Sequence, residues 1–192
     1  MIPIGVDCGV VDFMKKYNLR NLAFPFDYVV TYNGVSTCIQ DNFKDFMPNP
    51  DEQFNKYDIY FPHDFKSASY YYDVVKYTRR IKRFQTLLET SKELIFCRKG
   101  HATHHHKEHS GKYSILKSDI EDAEALDRIL KERYPTLNYT IHVFLVCGTC
   151  FSNCVMIGSD RIKIHNIATP AADAGRFENE IIRILNEKYK VQ

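Results

Sequence analysis

Three short segments concentrate residue types that do chemistry. The first is residues 4–9, IGVDCG, where a lone thiol, Cys8, stands between Gly5 and Gly9. An apolar run from Ile2 to Val6 reads as a buried strand, and Val10, Phe13, Met14 and Tyr17 then recur three or four apart, as on one helix face. The reading is strand, tight turn, helix, with Asp7 as N-cap and Cys8 in the first turn. The positive end of a helix dipole favours a thiolate there. Free N–H groups at the same helix start can hold an oxyanion. A small buried thiol that closes strand onto helix fits the position as well.

The second segment, FPHDF at 61–65, offers His63 and Asp64 at an expected strand end. A cysteine hydrolase needs a histidine to take the thiol proton and a third group to orient the ring. Asp64 neighbours His63 in sequence, so the two side chains tend to diverge. The third segment, FPFDY at 24–28, puts Asp27 among aromatic residues. Such surroundings disfavour a carboxylate unless it is paired, so Asp27 should have a partner. Candidates are the His63 ring and the N–H groups around residues 7–9. A turn role with bonds to nearby backbone is the alternative.

Two other clusters have metal-like spacing. Cys147-x2-Cys150-x3-Cys154 resembles half a zinc site, but no second CxxC supplies the remaining ligands. Structural thiols at strand ends are the plainer reading. The tract His101-x2-His104-His105-His106-x2-His109 could complete such a site, or be a solvated loop with adventitious affinity. No metal or cofactor is expected.

The elements that must position these groups follow from periodicity. Residues 21–73 are irregular and aromatic, punctuated by Pro25, Pro48, Pro50 and Pro62, with Asp58–Phe61 as a candidate strand. Val74, Tyr77, Ile81, Phe84 and Leu88 mark a long helix, with Lys76, Arg79, Arg80 and Arg83 on the opposite face, read as solvated. Leu94–Cys97 reads as a buried strand. Ser118 and Glu121 form a capping box for a helix over 118–134, with Ile120, Ala123, Leu130 and Tyr134 on one face. Strands are expected at 139–147, 154–157 and 161–167, the last two as a hairpin through residues 158–160. A final helix spans about 176–189, turning Phe177, Ile181, Ile184 and Leu185 inward.

Alternation of strands and helices predicts an α/β fold: a single layered domain over 1–192, its mixed, largely parallel sheet flanked by helices. The 192-residue length suits one domain. With 44% hydrophobic and 26% charged residues, a full core can form, which excludes wholesale disorder. A net charge of +2 argues against a general nucleic-acid binder. No apolar run is long enough to cross a membrane. The N-terminus lacks the pattern of a secretory signal, so reduced thiols in a cytoplasmic setting are expected.

The quoted segments together resemble a family grouped as papain-like cysteine peptidases. Ile4-Gly5-x2-Cys8, Leu19-Arg20, Phe24-Pro25-Phe26-Asp27-Tyr28 and Phe61-Pro62-His63-Asp64 match its blocks, with Tyr28 where tryptophan is usual. The basic helix around Arg79–Phe84 and the strand at Leu94–Arg98 extend the likeness. The resemblance implies a thiol-dependent hydrolase acting on a peptide or related amide. Cys8 would be nucleophile, His63 base, and Asp27 or Asp64 the orienting carboxylate. A protein or peptide substrate is the implied partner. The name also implies an α+β papain-like fold with an antiparallel sheet, the rival to the α/β reading. The functional alternative is a non-catalytic module that binds a glycan, a nucleotide-like ligand or a protein.

Overall fold

The computed structural model describes residues 1–5, 8–31, 34–101, 118–147, 154–169 and 173–190. Its strands are β1 (Ile2–Pro3), β2 (Glu93–His101), β3 (Asn138–Cys147), β4 (Cys154–Ile157) and β5 (Ile162–Ala168). The helices are α1 (Cys8–Lys16), α2 (Val35–Gln40), α3 (Tyr70–Thr90), α4 (Asp119–Arg133) and α5 (Ala174–Tyr189). One sheet runs in the order β1-β2-β3-β5-β4. Its first three ladders are parallel, and only the β4–β5 hairpin is antiparallel. This is the α/β architecture expected from the alternation of elements, not an antiparallel papain-like sheet.

Alternation along the strands divides the core in two. Leu94, Phe96, Tyr139, Ile141, Val143 and Leu145 face one side. There they meet α3 through Phe84 and Leu88, α4 through Ala123, Leu126 and Leu130, and the aromatic segment 24–65. Cys97, Phe144 and Ile167 face the other side and are covered by α1 and α5. Strands buried on both faces explain why β2 and β3 read as near-continuous apolar runs.

Helix limits follow local chemistry. Ser118 caps α4 by accepting from the Glu121 N–H at 3.2 Å, while Glu121 accepts from the Ser118 N–H at 2.7 Å. Acidic residues open α4, and Lys131 and Arg133 close it. Asp173 caps α5 by accepting from the Arg176 N–H. No helix among the described residues is long and apolar enough to cross a membrane.

Three sequence expectations are corrected. Asp58–Phe61 is not a sheet strand; Tyr60 makes isolated bridges to Val30 and Phe54. The α3 cations are not simply solvated. Lys76 pairs with Asp64 and Asp73, and Arg83 donates to the Ala23 carbonyl at 2.6 Å. Cys147 is disulfide-bonded, where a reduced thiol is expected.

Candidate functional site

Cys8 owes its place to β1. Ile2 and Pro3 pair with Phe96 and Cys97, and the Lys99 N–H donates to the Gly5 carbonyl at 3.2 Å. The chain then leaves the sheet at the end where the parallel strands finish, the usual location of ligand sites in such folds. Gly5 has φ +103°, and a Cβ there would stand 1.7 Å from Thr31 Oγ1, so the turn requires glycine. Val10, Val11, Phe13 and Met14 anchor α1 on the sheet. Cys8 is its first residue and is half-buried. The expected cap, Asp7, lies outside the described residues.

A buried cation holds this turn. Arg98, from β2, is 0% exposed. It donates to the Ile4 carbonyl at 3.0 Å, the Thr31 carbonyl at 2.9 Å and Asp119 at 2.6 Å, with Asp122 3.3 Å away. Burial disfavours its charge, yet Asp119 and Asp122 more than offset that and hold the guanidinium protonated. Asp122 also accepts from the Ser36 hydroxyl at 2.7 Å, which ties α2 to α4. The sequence reading missed Arg98. Its signal is a cation directly after the apolar run Leu94–Cys97, together with two aspartates, Asp119 and Asp122, that open α4.

Asp27 is fully buried and paired, although not with either expected partner. It accepts from the Phe24 N–H at 2.9 Å and forms an ion pair with Arg20. Burial pushes its carboxyl above the usual range; the Phe24 N–H, Arg20 and Arg80 pull the other way without offsetting it. Asp64 accepts from Lys76 at 2.6 Å and from the Tyr77 hydroxyl at 2.7 Å. Burial, then Asp64, drives the Tyr77 phenol far above its ordinary range, so it stays a donor.

His63 is exposed on the segment between two buried rings, Phe61 and Phe65. Both rings pack on Tyr77, at 5.6 and 5.1 Å. Among the described residues, His63 makes no hydrogen bond to Cys8, Asp27 or Asp64. The two candidates also belong to different layers. α1 packs with α5 on one face of the sheet, whereas Phe61 and Phe65 belong to the cluster on the other.

The remaining thiols differ sharply in environment. Cys38 and Cys97 are buried, and burial pushes both thiols up, Cys97 to about 12, which makes them inert. Cys154 is free and exposed. Cys150 and residues 102–109 lie outside the described residues. Among the described residues no group of three His, Cys, Asp or Glu side chains is placed to hold a metal ion.

A second polar feature, also missed from sequence, lies on the α1/α5 face. His142, within β3, is 1% exposed. Its Nδ1 lies 2.9 Å from His165 Nε2, and its Nε2 lies 2.8 Å from the Tyr189 hydroxyl. The His142, Phe144 and His165 rings stack nearly parallel. Burial lowers His142 to about 3 and His165 to about 4, so both rings are neutral at pH 7.

Residues 1–61 match the family model described as "Putative papain-like cysteine peptidase (DUF1796)". The match spans Gly5, Cys8, Arg20 and Asp27, and stops two residues before His63. No curated protein and no solved structure matches the chain.

Proposed function

We propose that the chain is a thiol-dependent hydrolase or acyl transferase acting on a peptide or related amide, with Cys8 as nucleophile. One observation carries this reading. Cys8 is the first residue of α1, half-exposed at the finishing end of the parallel strands, inside the family-matched segment. Helix-start N–H groups beside it suit a developing oxyanion. His63 is the proposed base. It shares no hydrogen bond with Cys8 here, and its place in the scheme rests on the aromatic-His-Asp block at 61–64. Asp27 and Asp64 are anchors in this scheme: Asp27 fixes the 20–27 segment to Arg20, and Asp64 fixes the His63 segment to α3.

A second reading, a non-catalytic binding module, is favoured by one specific observation. Both carboxylates proposed to orient His63 are engaged elsewhere, by Arg20 and by Lys76 with Tyr77.

Competitive alkylation separates the two readings, because Cys154 supplies an exposed thiol outside any helix start. With iodoacetamide at pH 7 and peptide mass spectrometry, a nucleophilic Cys8 should label about tenfold faster than Cys154. His63→Ala should slow Cys8 and leave Cys154 unchanged. Equal rates at the two cysteines in the parent chain would remove the hydrolase reading. A fast Cys8 indifferent to His63→Ala would remove His63 from it.

A further inference from the structure

A cavity of about 550 Å³ opens on the α1/α5 face, between α5 and the β4–β5 hairpin. It lies toward the β4 edge of the sheet, whereas α1 packs against β1 and β2 at the other edge. Its size is that of a small-molecule site. Val155, Ile167 and Ile184 give it carbon walls, and His142 and His165 also line it.

Two observations point to an occupant. The first is an orphaned polar atom. His165 is 5% exposed, and its Nδ1 is buried with no hydrogen-bond partner. Its Nε2 is already committed to His142. We assign the Tyr189 hydroxyl as the donor to His142 Nε2, the tautomer in which His142 Nδ1–H donates to His165 Nε2; the reverse assignment would make His165 Nδ1 an acceptor. As assigned, His165 Nδ1 carries a proton and seeks an acceptor. Leaving such a buried donor unmet is costly, because it has given up water and gained no partner.

The second observation is the charge of the rim. Lys163 of β5 and Arg183, Lys188, Glu180 and Glu187 of α5 line the opening, which leaves one positive charge in excess. Both glutamates pair with Arg183. Lys163 and Lys188 make no ion pair among the described residues. One unbalanced charge suits a monoanion better than a phosphate dianion.

We propose that this cavity binds a small monocarboxylate with an apolar body, independently of any chemistry at Cys8. One carboxylate oxygen accepts from His165 Nδ1–H, Lys163 and Lys188 neutralise the charge, and the body lies against Val155, Ile167 and Ile184.

The test is a titration of the full chain, labelled with 15N in its histidine rings, using hexanoate, then hexanamide as the neutral match. Hexanoate should shift the His165 ring signals saturably and bind at least about tenfold more tightly than hexanamide, a difference of about 1.4 kcal/mol. Lys163→Gln and Lys188→Gln should each weaken hexanoate about five- to tenfold and leave hexanamide unchanged. His165→Phe keeps the stacked shape and removes the donor, so it should weaken hexanoate as well; far-UV circular dichroism confirms that each variant is folded. Equal affinity for acid and amide would overturn the proposal. So would hexanoate binding that survives both lysine variants, or no saturable shift up to ~10 mM, well above the millimolar limit of weak specific binding. Cys8 alkylation is a separate readout, so failure at one site leaves the other standing.

Discussion

Replacing Arg98 with methionine tests the clamp beneath the cysteine turn. Methionine refills most of the space left by the arginine stem, so cavity formation is a small part of the effect. What is lost is the charge. Asp119 and Asp122, 5% and 1% exposed, would face each other without the cation that now lies between them. Removing one member of a buried ion cluster costs about 3–5 kcal/mol. The Ile4 and Thr31 carbonyls also lose charged donors, and each such bond contributes about 1.5–3 kcal/mol. These contributions overlap, and about 5–8 kcal/mol is expected, comparable with the whole stability of an ordinary domain. Urea unfolding followed by far-UV circular dichroism should show a large fall in midpoint, or a chain already unfolded in buffer. A triple variant, Arg98→Met with Asp119→Asn and Asp122→Asn, removes the stranded charges and should recover at least half of the loss. Arg98→Lys keeps the charge but not the fork that spans Ile4 and Thr31, so it should fold and alter the Cys8 alkylation rate. A loss below about 1.5 kcal/mol for Arg98→Met at unchanged m would refute this account of the turn.

Other expectations follow from contacts described above. Ser118→Ala removes the α4 capping box and should cost about 1 kcal/mol in a urea titration without changing Cys8 labelling. Asp27→Asn leaves Arg20, whose side chain is 4% exposed, facing an amide instead of a carboxylate. A stability loss of about 3 kcal/mol is expected, and a change within ±0.5 kcal/mol would make the pair unimportant. The folded chain holds His142 and His165 below their unfolded value, so their contribution to stability is complete above about pH 6.5. It is lost as pH falls toward about 3–4, because the unfolded chain takes up protons first. Thermal melts across pH 7 to 4 should show this decline, and His142→Gln with His165→Gln should flatten it.

The sequence was most legible where structure is decided locally. α4 announces itself because Ser118 and Glu121 satisfy each other's backbone within four residues. β2 and β3 are plain because strands buried on both faces carry apolar runs, Leu94–Cys97 and Val143–Cys147. The segment 24–65 is another matter. Tyr28, Phe43, Asp58 and Phe65 all have positive φ, a conformation that such residues reach only when surrounding packing imposes it. α2 has six residues, and its N-cap Gly34 offers no side-chain cap, so no local pattern marks it. Asp27 was rightly expected to have a partner, but which one depended on how the chain between Arg20 and Asp27 turns back on itself. Arg98 illustrates the same limit, since its meaning depends on two aspartates that only the fold brings close.

The first strand has a consequence for the timing of synthesis. Ile2 pairs with Phe96, and the Ile4 carbonyl waits for a guanidinium 94 positions later in the chain. Synthesis delivers β1 before β2, and the two cannot pair until the 94 positions that separate Ile2 from Phe96 have followed. Closing so long a loop is entropically costly, and contacts of such sequence separation form slowly. The thiol is therefore made before the strand that positions its turn. A nascent or truncated chain that ends before β2 carries Cys8 on an unpaired segment, chemically an ordinary cysteine. Any reactivity that depends on the turn then reports completion of the α3–β2 unit, and a chain stalled partway cannot display it.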